Sequence, residues 1–120
     1  MNILVIDDTE SFRFLLEKIL EEHKVVSASN GEEGLKIFFQ SNFDLVITDH
    51  QMPGMLGEEL IRKIKSSNPL VKTVLMSSIL SPMLKQVAKA AGADYFIDKM
   101  FLFSEVNSAI KNLFPALLPR

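Results

Sequence analysis

Polar residues stand at the points where four apolar runs stop. Asp7 and Asp8 follow Asn2 to Ile6, Asp49 follows Leu45 to Thr48, Ser77 follows Val71 to Met76, and Lys99 closely follows Tyr95-Phe96-Ile97. If those runs are neighbouring parallel strands, three carboxylates, a hydroxyl and an ammonium meet at one end of the sheet. In open α/β sheets that carboxyl end is where ligands bind. Acids grouped against a single lysine call for a cation and an oxyanion, and phosphoryl chemistry on Mg²⁺ answers both demands.

Each residue also has a plainer reading. Asp49 ends an apolar strand, where its carboxylate is either an oxygen nucleophile for an incoming phosphoryl group or a solvated strand-end acid. Asp7 and Asp8 alternate about the end of their strand, so both enter the pocket only if the chain bends there. Their crowding near Asp49 is repulsive unless a divalent cation neutralises it, and either one could instead cap the helix that follows. Lys99 is a compact cation suited to a phosphoryl oxygen, or to Asp49 before phosphorylation. The Ser77 hydroxyl is placed to donate to a bound phosphoryl oxygen or to bond nearby backbone, with Ser78 as a neighbouring competitor. His50 alternates away from Asp49, and His23 has no acidic or histidine partner at ligand spacing and reads as a solvated helix-end residue.

Positioning these groups requires alternating strands and helices. Strands are predicted at Asn2–Ile6, Lys24–Ser29, Leu45–Asp49, Val71–Ser77 and Asp94–Ile97. Phe12, Leu15, Leu16, Ile19 and Leu20 recur at helical spacing within Ser11–Glu22. A second helix opens at Asn30-Gly31 and ends near Ser41, with Gly34 weakening it. Pro53, Gly54 and Gly57 mark a loop before a third helix over about Glu58–Ser67. Ser81-Pro82 caps a fourth that Gly92 ends, and Ser104 caps a fifth carrying Val106, Ile110 and Leu113 on one face before Pro115 stops it. Phe12, Phe38, Phe39 and Phe43 are read as core. Phe101, Phe103, Leu117 and Leu118 are less easily buried and mark a partner surface or a severed connection.

The 120 residues, 48% of them hydrophobic, fit one domain with a real core. Five strands and five helices without internal repeats imply a parallel sheet covered on both faces. A net charge of -2 gives no footprint for nucleic acid, and the absence of cysteine excludes disulfides and thiolate metal sites. No apolar stretch approaches the roughly 20 residues needed to span a bilayer. The expectation is a cytoplasmic protein with no membrane or direct nucleic-acid contact. It is a single domain over residues 1–120, with a core of about 1–114 and residues 115–120 as a short tail or truncated linker.

Asp7-Asp8, the segment Asp49-His50-Gln51-Met52-Pro53 with Gly57, Ser77 and Lys99 together resemble the receiver domain of two-component response regulators, over essentially residues 1–113. The resemblance implies a flavodoxin-like doubly wound fold with strand order 2-1-3-4-5, an order that periodicity does not decide. It implies an aspartyl phosphate on Asp49, supplied by a sensor histidine kinase, a phosphotransfer protein or a small phosphodonor. Mg²⁺, with Mn²⁺ as a substitute, is then held by Asp8, Asp49 and the backbone carbonyl of Gln51, with Asp7 acting through water. Ser77 and Phe96, three positions before Lys99, form the switch pair, although Phe96 has no hydroxyl; Tyr95 is adjacent but off register. The face of the fourth helix, fifth strand and fifth helix would change its affinity for a downstream effector or a homodimer partner. Such a domain assists its own phosphorylation and dephosphorylation without being a turnover enzyme.

Two departures from the family pattern stand out. Met100 replaces the usual proline after the lysine, so the Lys99-Met100 peptide is expected trans with a shifted loop, or cis under strain. Ile79, two positions beyond Ser77, places an aliphatic group where it would impede attacking water and slow dephosphorylation. Two other readings compete. A metal-dependent phosphatase using Asp49 would want a general acid where Gln51 stands. A receiver-shaped interaction module that is never phosphorylated would be favoured by a missing acid or lysine, and none is missing.

Overall fold

The computed structural model describes residues 1–117. Five parallel strands, β1 (Asn2–Ile6), β2 (Lys24–Ala28), β3 (Leu45–Asp49), β4 (Lys72–Ser77) and β5 (Tyr95–Asp98), form one sheet in the order β2-β1-β3-β4-β5. Five helices alternate with them: α1 (Glu10–Ile19), α2 (Gly31–Phe38), α3 (Gly57–Ser67), α4 (Pro82–Ala91) and α5 (Leu102–Leu113). Pairs such as Leu4↔Val46, Thr48↔Leu75 and Met76↔Ile97 fix the register. The central strand β3 is buried throughout, as a parallel sheet covered on both faces requires, whereas edge strand β2 begins with exposed Lys24.

Side-chain alternation divides the core and decides where the polar residues go. Ile3, Val5, Leu45, Ile47, Val74, Met76 and Ile97 face one way and pack with Leu16 and Leu20 of α1 and Val106 of α5. Leu4, Ile6 and Val46 face the other way, toward Phe38 of α2 and Leu60 and Ile64 of α3. Continuing the period of two, Asp7 follows Ile3 and Val5, Asp49 follows Leu45 and Ile47, and Lys99 follows Ile97, so all three emerge on the α1/α5 side. Ser77 follows Leu75 on the opposite side, where Leu75 packs with Ile61, Ala88 and half-buried Phe96.

Helix ends confirm some sequence signals and overturn one. Asn30 accepts from the Glu33 amide at 2.8 Å and Ser81 from the Leu84 amide at 3.1 Å, with Pro82 at the first helical position. Gly92 closes α4 in the left-handed conformation at φ 110°. Ser104, by contrast, does not cap α5, which already begins at Leu102. A 3-10 turn over Lys99–Phe101 feeds directly into it, capped by Asp98 through the Met100 amide at 2.9 Å, and the Ser104 hydroxyl donates back to the Phe101 carbonyl. Among the described residues no peptide bond is cis, so Lys99-Met100 takes the trans alternative.

Other expectations shift locally. α1 ends three residues before the predicted Glu22 and α2 stops at Phe38, because Leu20 and Phe39 cap them and the chain then turns toward the next strand. Gly34 is required by packing, since a Cβ there would lie 2.8 Å from Ile6 Cγ1. Phe38 and Phe43 are stacked and buried, but Phe39 is exposed and leaves the expected core set. Its ring lies past the last turn of α2, outside the buried stripe. His23 is half-buried, not solvated: its Nδ1 lies 3.3 Å from the N-terminal amine of Met1, and burial together with that positive charge lowers its pKa. Phe101 and Phe103 are exposed as expected. The expectations for the Leu117 side chain and for Leu118, with the last part of the 115–120 tail, lie outside what the structure describes, and α5 does end before Pro115.

Candidate functional site

The strand ends build a cleft of about 500 Å³ at the carboxyl edge of the sheet, lined by Asp8, Asp49, Gln51, Ser77, Ile79 and Lys99 among others. Lys99 lies at its floor. Its Nζ is 2.7 Å from Asp7 Oδ2 and 3.2 Å from Asp49 Oδ1, and all three side chains are nearly inaccessible to solvent. The ring of Phe12, from the first turns of α1, supplies part of the wall, with its centroid 4.1 Å from Nζ.

Backbone anchors hold the acids in place. Asp7 Oδ1 accepts from the Thr9 amide at 2.9 Å, the Asp7 amide donates to the Ala28 carbonyl at 3.1 Å, and Arg13 Nη1 donates to the Asp7 carbonyl at 2.7 Å. This bend after β1 lets consecutive residues share the cleft, with Asp7 buried beneath and Asp8 exposed above. On β3, the Thr48 hydroxyl donates to the Asp49 carbonyl at 2.9 Å and the His50 amide donates to the Met76 carbonyl at 2.9 Å. The loop that leaves Asp49 folds back tightly at Gly57, where a Cβ would fall on the Asp49 carbonyl. Only glycine fits that approach.

Electrostatics within the cluster are unfavourable without a counter-ion. Burial pushes the Asp49 carboxyl above its ordinary pKa, and the negative charge of Asp7 adds to the rise while Lys99 opposes it. One lysine does not balance three acids. Ligand oxygens of Asp7, Asp8 and Asp49 all lie within 4.8 Å of one another, and buried Asp7 Oδ2 has no hydrogen-bond partner beyond its ion contact with Lys99. An all-oxygen cluster with an unfilled acceptor suits a hard cation such as Mg²⁺, which takes few carboxylates and completes its shell with water.

Ser77 is in the cleft wall, but its hydroxyl is engaged locally. It donates to the Ile79 carbonyl at 3.0 Å and accepts from the Ile79 amide at 3.1 Å. The backbone-bonding reading therefore describes this state. Ile79 itself is 79% exposed at the cleft mouth. Phe96 does not line the cleft; it packs below, against the cluster of Ile61, Leu75 and Ala88. His50 reaches the rim without joining the converging ligand atoms. Phe12 is the functional wall residue that sequence reasoning placed in the core. The signal for it was its position one helical turn beyond Asp8.

Residues 3–111 match the family model described as the response regulator receiver domain. The chain belongs to that family. The receiver is 30% identical to sporulation initiation phosphotransferase F of Bacillus subtilis over 115 residues, spanning 94% of this chain and 93% of that protein. It is also 34% identical to the response regulator UvrY of Escherichia coli over 118 residues, covering 95% of this chain but 54% of UvrY. Against the sensory/regulatory protein RpfC of Xanthomonas campestris, 29% identical, it spans 16% of the longer protein. Among solved structures, the response regulator TrrA of Thermotoga maritima in complex with Mg²⁺ and BeF has 37% identity and a TM-score of 0.85, over 94% of this receiver and 98% of that chain. The chemotaxis protein CheY4 of Vibrio cholerae has 26% identity and a TM-score of 0.88 over the same shares. The strand order expected from resemblance is the one observed. Among the described residues no helix is long and apolar enough to cross a membrane.

Proposed function

We propose that this receiver is a phosphoacceptor switch in which Asp49 takes a phosphoryl group from a histidine kinase, a phosphotransfer protein or a small phosphodonor. The observation that supports it most is the convergence of Asp7, Asp49 and Lys99 beside exposed Asp8 in one cleft. An Asp49 carboxylate oxygen attacks phosphorus, the bond from phosphorus to the donor's nitrogen or oxygen breaks, and the leaving group departs with its electron pair. The product is an acyl phosphate. Lys99 follows the transferred charge from Asp49 to a phosphoryl oxygen. Asp8, Asp49 and the Gln51 carbonyl would hold Mg²⁺, or Mn²⁺ in its place, with Asp7 acting through water; such a cation would supply positive charge to balance the acids and the phosphoryl oxygens together.

Ser77 completes the site only after leaving Ile79. Its hydroxyl has one proton to donate, and the Ile79 carbonyl now takes it. Donation to the phosphoryl group therefore requires the Ser77 hydroxyl to release the Ile79 carbonyl, and with that release we associate a shift of the β4–α4 loop and repacking of Phe96 beside Leu75. We assign the resulting change in affinity, for an effector or a second copy, to the α4–β5–α5 face. The domain works stoichiometrically and not as a turnover enzyme, and the cytoplasm is its compartment.

Beryllofluoride, an acyl-phosphate mimic present with Mg²⁺ in the TrrA complex, tests the site. Mg²⁺ and beryllofluoride together should raise the melting temperature more than Mg²⁺ alone, and Asp49→Asn should abolish the extra rise. An equal rise in the variant, or none in the wild type, would overturn the assignment.

A further inference from the structure

We infer that Phe12 is a positioning residue for the Lys99 ammonium, its ring face fixing Nζ between Asp7 and Asp49. The inference rests on Asp49 as phosphoacceptor for its consequence, but on the 4.1 Å cation–ring contact for its geometry. Lys99 has a long, rotatable stem and a charge that water would ordinarily surround. Here two sides of the ammonium meet carboxylates, at 2.7 and 3.2 Å, and the ring closes a third.

The ring is itself held. Phe12 packs against the α1/α5-side core, and its amide donates to the Thr9 carbonyl at 3.1 Å in the first turn of α1. That turn continues directly from the segment in which Thr9 binds Asp7 Oδ1, so ring and buried acid are carried on one short piece of chain. A ring face attracts a cation without demanding a particular N–H direction. The ammonium is thereby confined in position yet free to rotate its donors from Asp49 Oδ1 to a phosphoryl oxygen. An aliphatic side chain at position 12 would keep much of the core contact and lose that attraction.

Phosphorylation rates with acetyl phosphate and Mg²⁺, read by intact mass, decide the point across wild type, Phe12→Leu, Phe12→Tyr, Lys99→Ala and the Phe12→Leu/Lys99→Ala double variant. The ring contact predicts that Phe12→Leu slows labelling by roughly 3- to 10-fold, that Phe12→Tyr restores it, and that Phe12→Leu adds nothing once Lys99 is gone. A Phe12→Leu rate equal to wild type, or the same slowing in the Lys99→Ala background, overturns the role. Proton NMR of the Lys99 ε-methylene gives a second readout: an upfield ring-current shift in wild type that Phe12→Leu or Phe12→Met removes. Absence of that shift in the wild type overturns the geometry. Failure of the wild type to label at all would instead defeat the phosphoacceptor reading, while the NMR shift would still report on Phe12.

Discussion

The Lys99 ammonium lies 2.7 Å from Asp7 Oδ2, with both side chains buried, and 0.5 Å farther from Asp49 (3.2 less 2.7). Asp7 is thus the resident partner of the lysine, and Asp49 shares it. Removing the cation strands two buried carboxylates. Lys99→Met, which keeps most of the stem, should destabilise the metal-free protein by about 3 kcal/mol in urea unfolding, with part recovered when Mg²⁺ is added. A loss under about 0.5 kcal/mol would mean that the acids find their compensation elsewhere.

Asp49 carries the opposite sign. Its pKa is raised above the ordinary 3.8 by burial and by Asp7, so with Mg²⁺ chelated there is a pH window just above 3.8 in which the folded state holds a proton that the unfolded state has lost. Stability accordingly falls as pH rises through the window between 3.8 and the raised value, and the full penalty remains at neutral pH. Asp49→Asn should flatten that slope and stabilise the metal-free fold at neutral pH by about 1 kcal/mol. Chemical denaturation across pH checks both; a less stable variant at neutral pH would show that the Lys99 pair outweighs burial and repulsion.

Asp8 is exposed, and substituting it costs little packing. Asp8→Asn should melt within about 0.5 kcal/mol of wild type in chelator yet lose most of the gain from Mg²⁺, which for a site at a hundred times its dissociation constant is about 2.7 kcal/mol. Equal Mg²⁺ stabilisation of both proteins would remove Asp8 from the ligand set.

Ile79 stands at the cleft mouth, and its backbone is tied to the Ser77 hydroxyl. Its aliphatic side chain should hinder water on its way to an acyl phosphate. Ile79→Ala should shorten the phosphoryl lifetime, followed as loss of the phosphorylated mass after donor removal. A wild-type lifetime that is already brief and unchanged in the variant would remove Ile79 from that role.

Much of this site is legible in the sequence. Strand ends are easy to find where an apolar run stops at a polar residue, and period-two alternation carries Asp7, Asp49 and Lys99 to one side. Asp7 and Asp8 sharing a cleft depended on a bend, made here by the Thr9 and Arg13 contacts, that no spacing encodes. Ser104 was misread as a cap because a serine after apolar residues carries the same local signal whether the helix begins just after it or three residues earlier. Here the Asp98-capped turn started it first. Phe12 was hidden by its chemistry: a phenylalanine at helical spacing looks like core, and it is partly core, but its exposed face had to be seen against Lys99. The Ser77 hydroxyl was undecidable in the sequence, because both readings use the same strand-end position.

The central claim is that Asp49 accepts a phosphoryl group with help from a divalent cation. Intact mass after incubation with acetyl phosphate, with and without Mg²⁺ and beside Asp49→Asn, tests it most directly. The account predicts an increment of one phosphoryl group, about 80 Da, that requires both Mg²⁺ and Asp49. No increment in a folded, Mg²⁺-binding wild type, or the same increment in Asp49→Asn, would contradict it and leave a receiver-shaped interaction module as the better description.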